Sequence, residues 1–555
     1  MPPTPSSVLR FFFPRVSAWG RTAGLAVALA LTGCGSLPPN TSRTASHALP
    51  AATSTRLAQQ VAALTPPASR QETTAPDQRA GFRLLGTVES AYGSRLALID
   101  AAEKTLDLQY YSIHYDSSTE ALMEHLAAAA ARGVRVRVLI DDFNAAGENA
   151  KVLRLDSVPG IEVRLFNPVS GPRASQVGRI VGSLFDFQRI QQRMHNKAFI
   201  ADNVMAVTGG RNLGDEYFGQ GEKSNFLDLD LLVAGPLVQQ LSRSFDTYWN
   251  HELAYPARTL LTPAERERLL HPRAAPVPTE VPLPETHPAT PTAAAPAGDT
   301  PPPKPVPGAA GIARQILDGR LQLTWAPAVL LSDHPSKIDS DDPDDQDETV
   351  VGDLMRLIEQ TRSDLLIVSP YFVPGDKMMG VFESLRARGV RVRVLTNSLA
   401  SNDAPLAHVG YARYRPALLR AGVELYELQS RGDTRRRILG STPQSRSSLH
   451  SKALVVDGRL LVVGSMNLDL RSALQNTEVG IVIRSRPLSR EMTENIEESF
   501  ADSYRLELQG DRLRWHPPAH DRERAGQVLE REPDASTGLQ LMLKVIGPFA
   551  PDEML

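Results

Sequence analysis

The stretch that decides the fold is HNKAFIAD at residues 195–202, which returns as HSKALVVD at residues 450–457. A short segment follows each copy at the same distance, GGRN at 209–212 and GSMN at 464–467. From residue 195 to residue 450 the offset is 255. Because His, Lys, Asp and Asn recur at one spacing, the pattern indicates an internal duplication rather than a chance match.

A second repeat indicates the secondary structure around these motifs. The nine residues ARGVRVRVL occur at 131–139 and again at 387–395, an offset of 256. Further apolar strands are expected at 106–111, 163–166, 365–371 and 424–426. Helix-like segments separate them, and such alternation is typical of layered α/β domains. The sequence therefore predicts two tandem α/β domains that face each other about a pseudo-twofold axis.

The composition is that of a large globular protein. The chain has 555 residues, enough for several domains with full cores. Its hydrophobic fraction of 42% and charged fraction of 22% exclude a polytopic membrane protein and a wholly disordered chain. With 60 basic and 63 acidic residues the net charge is −3, so no global charge favours a polyanionic partner such as nucleic acid.

The N-terminus has the pattern of an export signal. Three arginines without any acidic residue precede an apolar run at 23–31, and LTGC ends at Cys34, the single cysteine. This order resembles a bacterial lipoprotein signal, which implies cleavage before Cys34 and its lipidation. Gly35 after the cysteine favours the periplasmic side of the outer membrane. The alternative is a buried free cysteine in an N-terminal helix. Loss of residues 1–33 would change the net charge from −3 to −6.

Composition also suggests where the domains begin and end. Residues 271–310 hold 13 prolines in 40 residues, which neither a packed helix nor a central strand tolerates. In the C-terminal tail, an apolar segment at 539–546 is expected to be a packed helix rather than a membrane-dipping one. The predicted segments are a signal peptide at 1–33, a flexible tether at 34–80, domain 1 at 81–258, a Pro-rich linker at 259–315, domain 2 at 316–515 and a tail at 516–555.

The paired motifs resemble those of the phospholipase D superfamily, whose signature is His-x-Lys-x4-Asp followed by Gly-Ser/Gly-x-Asn. The likeness extends from about residue 81 to residue 515 and implies two phospholipase D-like α/β/α sandwich domains. Finer detail is similar to bacterial cardiolipin synthases, especially the C type: RMHNK at 193–197, GGRNLGDEYF at 209–218, SPYFVPG at 369–375 and GSMNLDLRS at 464–472. One departure is Gly210, where Ser is commoner and Ser465 stands in the second copy.

The motif residues suit phosphodiester chemistry. His and Lys two residues apart in a strand share one face, so each half is expected to present an imidazole and an ammonium group together. The resemblance implies that one imidazole forms a phosphohistidine while the other acts as acid and base. We expect His195 to be the nucleophile and His450 the acid/base, with the reverse assignment open. Neither a metal nor another cofactor is expected.

Several further residues are candidates for the site. Lys197, Lys452, Asn212 and Asn467 are expected to donate to the phosphate oxygens. Asp230 and Glu478 resemble the acidic residues that hold the imidazoles, although each could simply begin a strand. Asp202 and Asp457 complete the motif, but a hairpin turn favours Asp there whatever the chemistry. Asp215, Tyr217, Ser465, Asp469 and Arg471 are candidates to bind the substrate head group, or to lie in surface loops.

The predicted function is phosphatidyl transfer. By resemblance, a phosphatidyl group passes from a donor phospholipid to His and then to phosphatidylglycerol, giving cardiolipin; phosphatidylethanolamine is a further candidate donor. Three alternatives remain. Entry of water would make the enzyme a phospholipase D that releases phosphatidic acid. The same motifs occur in nucleases, which the net charge and the 6% aromatic content disfavour. A silent lipid-binding scaffold would not need both complete motifs. The oligomeric state stays open.

Overall fold

The residues described by the computed structural model include most of both predicted domains. They are residues 37–67, 79–171, 187–270, 309–338, 349–430, 446–524 and 526–546. The predicted signal peptide, Cys34 and the proline-rich residues 271–308 lie outside the described residues. Predictions about these segments therefore stay predictions.

The first domain is built on a mixed sheet. Its strands are β1 (Arg79–Leu85), β2 (Thr105–Tyr110), β3 (Arg135–Asp141), β4 (Ile161–Phe166), β5 (Arg193–Met194), β6 (Ala198–Ala201), β7 (Met205–Gly209), β8 (Ser224–Leu227), β9 (Asp230–Ala234) and β10 (Ala254–Pro256). The sheet order is β10-β4-β3-β2-β6-β7-β9-β1. Strands β2, β3 and β4 are parallel, and they are nearly completely buried, as expected for strands covered on both faces.

The second domain repeats this arrangement. Its strands are β11 (Thr324–Ser332), β12 (Asp364–Val368), β13 (Arg391–Asn397), β14 (Glu424–Leu428), β15 (Arg446–Leu449), β16 (Ala453–Val456), β17 (Leu460–Gly464), β18 (Asn476–Thr477), β19 (Val479–Arg484), β20 (Ser503–Gln509) and β21 (Arg512–His516). The order is β21-β20-β14-β13-β12-β16-β17-β19-β11, with β12, β13 and β14 parallel. From β20 to β11 it matches the eight strands of the first sheet, and β21 is an additional edge strand. The predicted pair of α/β domains is confirmed.

The two sheets join through equivalent strands. The first half of β11 pairs antiparallel with β1, with Arg79 opposite Pro327 and Phe82 opposite Thr324. The second half of β11 pairs with β19 of its own domain. Strands β1 and β11 occupy the same place in their sheets, and antiparallel pairing of equivalent strands is the arrangement that a twofold axis produces. The predicted pseudo-twofold relation is thus visible in the hydrogen bonding.

Helices cover both faces of the sheets. They are α1 (Arg56–Leu64), α2 (Val88–Ala101), α3 (Ser117–Ala131), α4 (Phe187–Gln191), α5 (Pro236–Trp249), α6 (Ala257–Leu260), α7 (Pro263–Leu270), α8 (Ala310–Leu317), α9 (Val350–Glu359), α10 (Gly375–Ala387), α11 (Pro405–Arg420), α12 (Leu470–Leu474), α13 (Arg486–Ala501) and α14 (Thr537–Ile546). Each domain has its own apolar core on one face, and a third core, which includes α5 and α13, contains residues of both domains. The shared core holds the domains in one body.

The prediction of a flexible tether at 34–80 is wrong for residues 37–67. This segment packs on the first domain, where Leu57 and Val61 of α1 join the core. The carbonyl of Ser46 accepts from Arg137 at 3.0 Å, and its hydroxyl accepts from the indole of Trp249 at 2.9 Å. A Pro-, Ser- and Thr-rich composition does not reveal this packing, because the segment is held largely through backbone carbonyls that satisfy buried donors.

The predicted linker also begins and ends in packed helices. Residues 259–315 include all of α7 and much of α8, and α8 crosses α2 so closely that a Cβ at Gly93 would lie 2.2 Å from the carbonyl oxygen of Ala309. The C-terminal helix α14 is present, as predicted, and lies against α11. Within the described residues, every helix is too short or too polar to cross a membrane.

Candidate active site

Each motif histidine lies between two short strands and is hydrogen-bonded to the opposite domain. The prediction placed His and Lys within one strand, but β5 ends before His195 and β6 begins after Lys197. Strand β5 pairs in parallel with β18 of the second domain, and the His195 N–H donates to the Thr477 carbonyl at 2.9 Å. In the second motif, β15 pairs in parallel with β8 of the first domain, and the His450 N–H donates to the Leu227 carbonyl at 2.8 Å.

The two imidazoles face a common space. His195 and His450 both line one cavity of about 460 Å³ between the domains. The motif asparagines Asn212 and Asn467 line the same cavity. This volume lies within the roughly 300–1,000 Å³ of ordinary small-molecule sites. One ligand in this cavity can therefore contact both motifs at once.

A carboxylate from the opposite domain holds each imidazole. Glu478 of domain 2 contacts Nδ1 of His195 at 2.9 Å, and Asp228 of domain 1 contacts Nδ1 of His450 at 2.6 Å. All four side chains are buried. A carboxylate on Nδ1 fixes the proton on that nitrogen and orients the ring. The Nε2 atom of each histidine is then the nitrogen available to a ligand.

The prediction that Asp230 holds an imidazole is wrong, and Asp228 has that place. Asp230 instead forms buried ion pairs with Arg95 at 2.9 Å and with Arg211 at 3.3 Å. The strand register explains the difference: Gly209 pairs with Asp230 in the first domain, and in the second the corresponding pair is Gly464 with Gly480.

Asp230 therefore corresponds to Gly480, while Asp228 corresponds to Glu478. This assignment comes from the strand register, since Asp228-Leu-Asp230 aligns with Glu478-Val-Gly480 only when the motif glycines are matched through their pairing partners. Counting from the histidines hides it, because the intervening loops differ in length. The register of β7 with β9, and of β17 with β19, identifies Asp228 as the counterpart of Glu478.

Both motif lysines are buried beside their histidines. The ammonium group of Lys197 donates to the His195 carbonyl at 2.8 Å, and that of Lys452 donates to the His450 carbonyl at 2.5 Å. Burial, followed by the charge of Lys452, lowers the pKa of Lys197 to about 7, and burial also lowers the pKa of Lys452. Two buried cations next to a cavity favour the binding of an anion.

The imidazoles are neutral near pH 7 while their carboxylates are charged. Burial lowers the pKa of His195 to about 4, and the charges of Lys197 and Lys452 act in the same direction. Burial also lowers the pKa of His450. Although burial alone would raise it, contact with His195 brings the pKa of Glu478 down to about 2. A neutral imidazole with a free Nε2 lone pair is a competent nucleophile.

The asparagines differ in their partners. The Asn212 amide donates to the Tyr217 hydroxyl at 3.0 Å, while its oxygen accepts from the Ser112 N–H at 3.3 Å. The side-chain oxygen of Asn467 is buried and has no hydrogen-bond partner among the described residues. The second motif therefore keeps an unsatisfied polar atom at the cavity.

The departure from the signature at Gly210 has a steric cause. Ser465 donates its hydroxyl proton to Glu478 at 2.5 Å. At the equivalent place in domain 1, a Cβ on Gly210 would lie 2.2 Å from the carboxylate of Asp228. The first domain thus lacks the hydroxyl donor because Asp228 fills the space that a serine would need. Ser465 supports Glu478 and is not among the residues that line the cavity.

Asp202 and Asp457 serve the turns rather than the cavity. Each has positive φ, 50° and 51°. The Asp202 carboxylate accepts from the N–H of Lys104 at 2.8 Å, and the Asp457 carboxylate accepts from the N–H of Ser363 at 2.7 Å. Both therefore tie a hairpin turn to the start of the neighbouring strand, β2 or β12. Their inclusion among catalytic candidates is corrected to a structural role.

The predicted head-group residues divide into two sets. Tyr217, Asp469 and Arg471 line the cavity. Arg471 donates to Gln191 of the first domain at 3.1 Å, and burial raises the pKa of Asp469 to about 7. Asp215, by contrast, accepts from the Ser118 N–H at 2.8 Å at the start of α3 and does not line the cavity.

Sequence reasoning missed the aromatic and acidic wall of the cavity. Tyr111 meets His195 edge to face at 5.1 Å between ring centroids, and Phe226 lies 4.9 Å from His450. Tyr371 donates its hydroxyl proton to Asp403 at 2.7 Å. Tyr371 belongs to the SPYFVPG segment, which was a usable signal, whereas Tyr111, Phe226 and Asp403 stand in unremarkable contexts.

A metal site is not evident in the part of the chain that the structure describes. There, no group of three or more His, Cys, Asp or Glu side chains is arranged to hold a metal ion. Two imidazoles line the cavity, and the motif lysines and two carboxylates are buried beside these rings. The expectation that no metal or other cofactor is needed stays a prediction.

Comparison with known proteins gives a consistent result. The family described as cardiolipin synthase, PLD-like domain, matches residues 96–249 and 354–500. Cardiolipin synthase C of Escherichia coli K12 is 37% identical over 462 residues, which span 82% of this chain and 92% of that protein. A cardiolipin synthase of Geobacillus kaustophilus is 26% identical and spans 70% of this chain and 60% of its own length. Phosphatidylserine synthase of Haemophilus influenzae, at 13% identity, shares the fold with a TM-score of 0.53, spanning 86% of this chain and 98% of its own.

Proposed function

We propose that this chain, which belongs to the phospholipase D-like family of cardiolipin synthases, makes cardiolipin by transferring a phosphatidyl group to phosphatidylglycerol. The single observation that carries the proposal is the pair of imidazoles from opposite domains that line one cavity, each held at Nδ1 by a carboxylate of the other domain. A phosphorus atom between them would have a nucleophile on one side and a proton donor on the other.

In the first step, Nε2 of His195 attacks the phosphorus of a donor phospholipid. The bond between phosphorus and the head-group oxygen breaks as the new N–P bond forms. His450, protonated in the bound complex, gives its Nε2 proton to the departing oxygen. The products are a phosphatidyl-histidine at residue 195 and the free head-group alcohol.

In the second step, a glycerol hydroxyl of phosphatidylglycerol replaces the departed alcohol. The hydroxyl gives its proton to His450 while its oxygen attacks phosphorus, and the N–P bond to His195 breaks. Cardiolipin leaves, and both imidazoles regain their initial protonation. The proton that His450 lost in the first step is thus recovered in the second, and no external acid or base is consumed.

The charges around the two rings support this division of roles. His195 is influenced by one carboxylate, Glu478, and by both motif lysines, which favour the neutral nucleophilic form. Burial and the charge of Lys452 lower the pKa of His450, and two carboxylates, Asp228 and Asp403, oppose that lowering. The negative phosphate of a bound substrate would favour protonation of His450 further.

The lysines and asparagines would stabilise charge in the transition state. Lys197, Lys452, Asn212 and Asn467 present hydrogen-bond donors near the cavity in a buried environment. Donors fixed in advance near a developing negative charge commonly account for a large part of catalysis. The side-chain oxygen of Asn467, which has no partner among the described residues, is available to accept a hydrogen bond from an incoming hydroxyl group.

The proposed site of action is the periplasmic side of a bacterial membrane, with the outer membrane favoured. The sequence pattern up to Cys34 supports export and lipidation of the chain, and acyl chains on that residue would hold the enzyme near its substrates. Gly35 favours sorting to the outer membrane, as the resemblance to lipoprotein signals implies.

Product analysis tests the function. Purified protein is incubated with phosphatidylglycerol vesicles, with and without phosphatidylethanolamine, and the lipids are identified by mass spectrometry. Cardiolipin is the expected product, because a transferase requires the glycerol hydroxyl, rather than water, to reach the intermediate. Phosphatidic acid as the sole product would contradict the transferase proposal and indicate hydrolysis.

Labelled phospholipid tests the roles of the histidines. We expect His450→Ala to accumulate a labelled phospho-enzyme and His195→Ala to form none, with turnover reduced by about 10³-fold or more in both. His125→Ala is the control, since that half-exposed histidine pairs with Asp100 away from the cavity. A labelled intermediate that survives in His195→Ala would reverse the assignment.

A further inference from the structure

Large exposed apolar side chains are few in the described chain, and most lie in two places. Phe143 and Leu406 are 45% and 46% exposed, yet both line the cavity that holds the imidazoles. Three more lie on the C-terminal helix α14, namely Leu541, Met542 and Val545. The remaining ones among the described residues are scattered, namely Leu49, Val329 and Val528.

The rim of the cavity is apolar on both domains. Phe143 follows strand β3 in the first domain, and Leu406 lies in the first turn of α11, after the equivalent strand β13 in the second. Both side chains are thus partly in the cavity and partly in solvent. Exposed phenylalanine and leucine at the entrance of a site are costly in water, so their position indicates contact with an apolar partner.

The volume of the cavity suggests what that partner is. A space of about 460 Å³ holds a head group and its phosphate, but not the acyl chains of two phospholipids. The acyl chains must stay in the bilayer while the phosphate reaches the imidazoles. The rim of the cavity therefore has to lie against the lipid surface during the reaction.

Helix α14 carries the second group of exposed apolar side chains. It packs on α11, the helix whose first turn carries Leu406. Leu543 points inward and is 6% exposed, whereas Leu541 and Val545 on the other side are 63% and 62% exposed. The two helices enclose a groove of about 420 Å³ that includes Val409, one turn along α11 from Leu406. Residues of α11 thus line both the groove and the cavity.

We propose that Phe143, Leu406 and the exposed face of α14 form a membrane-contact surface that inserts among the lipids and directs the cavity towards the bilayer. Lys544, between the apolar residues of α14, has a charge suited to anionic head groups. A lipid anchor at Cys34 would hold the chain near the membrane but would not orient it. The contact surface supplies that orientation, and the inference rests on the proposed function in that the substrate is a phospholipid.

An environment-sensitive fluorophore tests the surface one position at a time. The full chain with Cys34→Ser has no other cysteine, so a single cysteine can be introduced and labelled at Phe143, Leu406, Leu541 or Val545. Vesicles of phosphatidylglycerol and phosphatidylethanolamine are then added. We expect a blue shift at all four positions and none at the matched exposed controls Leu49 and Val329.

A binding measurement on unlabelled protein completes the test. The double variant Phe143→Ser/Leu406→Ser is expected to bind these vesicles about tenfold or more weakly, because each serine removes an apolar side chain from the lipid. Leu49→Ser/Val329→Ser should differ less than about twofold from the unsubstituted chain. Equal shifts at rim and control positions, or shifts on α14 alone, would overturn the inference.

The failure of this inference is distinguishable from that of the proposed function, because neither measurement needs turnover. A chain that makes cardiolipin but shows no shift at residues 143 and 406 would refute the membrane-contact surface alone. A chain that binds vesicles through this surface but yields no cardiolipin would refute the function alone.

Discussion

At the scale of single residues, Asp228 and Asp230 show how two carboxylates only two positions apart have different roles. Asp228 contacts the His450 imidazole at 2.6 Å, while Asp230 lies between two buried arginines. Asp228 is placed to hold the reacting ring of His450, and Asp230 is placed to neutralise the charges of Arg95 and Arg211 inside domain 1. Their neighbouring positions make each the natural control for the other.

We predict that Asp228→Asn lowers kcat by about 10²–10⁴-fold, because an amide in place of the carboxylate disturbs the tautomer and orientation of His450. Asp230→Asn is instead predicted to lower the free energy of unfolding by about 3–5 kcal/mol, since Arg95 and Arg211 lose their buried counter-charge. Steady-state kinetics and urea unfolding of both variants check the pair. A large loss of kcat in a fully folded Asp230→Asn protein would contradict this division.

At the scale of elements, the N-terminal helix α1 and the segment before it belong to the first domain. Leu57 is completely buried, and Thr55 caps the helix by accepting from the Ala58 N–H at 3.3 Å. The preceding segment supplies carbonyls to arginines of β3 and β4, including Arg137. A tether would leave those guanidinium groups without these partners. The segment therefore acts as part of the domain's outer layer.

We predict that Leu57→Ala lowers the free energy of unfolding by about 2–5 kcal/mol, the usual loss when a buried leucine leaves a cavity. Leu49→Ala in the same segment is the control, because its side chain is exposed, and it should change stability by less than about 0.5 kcal/mol. Urea unfolding measures both. Equal stability of the two variants would mean that the segment is a tether after all.

At the scale of the whole molecule, each half-site is completed by the other domain. Glu478 reaches across to His195, and Asp228 reaches across to His450. Charges of both domains also act on the His195 imidazole, since Lys197 of its own domain and Lys452 of the other domain both lower its pKa. The acid and base properties of the site are therefore set by the assembly of the two domains.

The pH dependence of kcat/KM follows from these shared charges. His195 must be neutral to attack, so kcat/KM should rise with pH through about 4. His450 must be protonated to release the first alcohol and Lys197 must be charged, so kcat/KM should fall as pH rises, first through the lowered pKa of His450 and then through about 7. Lys452→Met removes a positive charge that disfavours the imidazolium form of His195. The substitution should therefore raise the pKa of His195 and move the low-pH rise of kcat/KM to higher pH. Measurement of kcat/KM across the whole pH range checks this prediction. If the low-pH rise of kcat/KM does not move in Lys452→Met, the charge of domain 2 does not influence His195 of domain 1.

How much of this could be predicted from the sequence depends on whether the interaction is local. The paired motifs, the duplication, the alternation of strands and helices around ARGVRVRVL and the turn role of Asp202 and Asp457 all follow from short patterns with a fixed spacing. Periodicity and turn chemistry act within a few residues, so one sequence reveals them. Cross-domain contacts do not have such a local signature.

The sequence by itself determined the two α/β domains and the identity of the histidines, lysines and asparagines that line or support the cavity. Only the tertiary structure decided that Asp228 and not Asp230 holds His450, since that choice depends on the register of two distant hairpins. It also decided that the imidazoles share one space, because strands β5 and β15 pair with the opposite domain. These strand pairs join residues that are far apart in the chain, which is why local patterns in the sequence do not specify them.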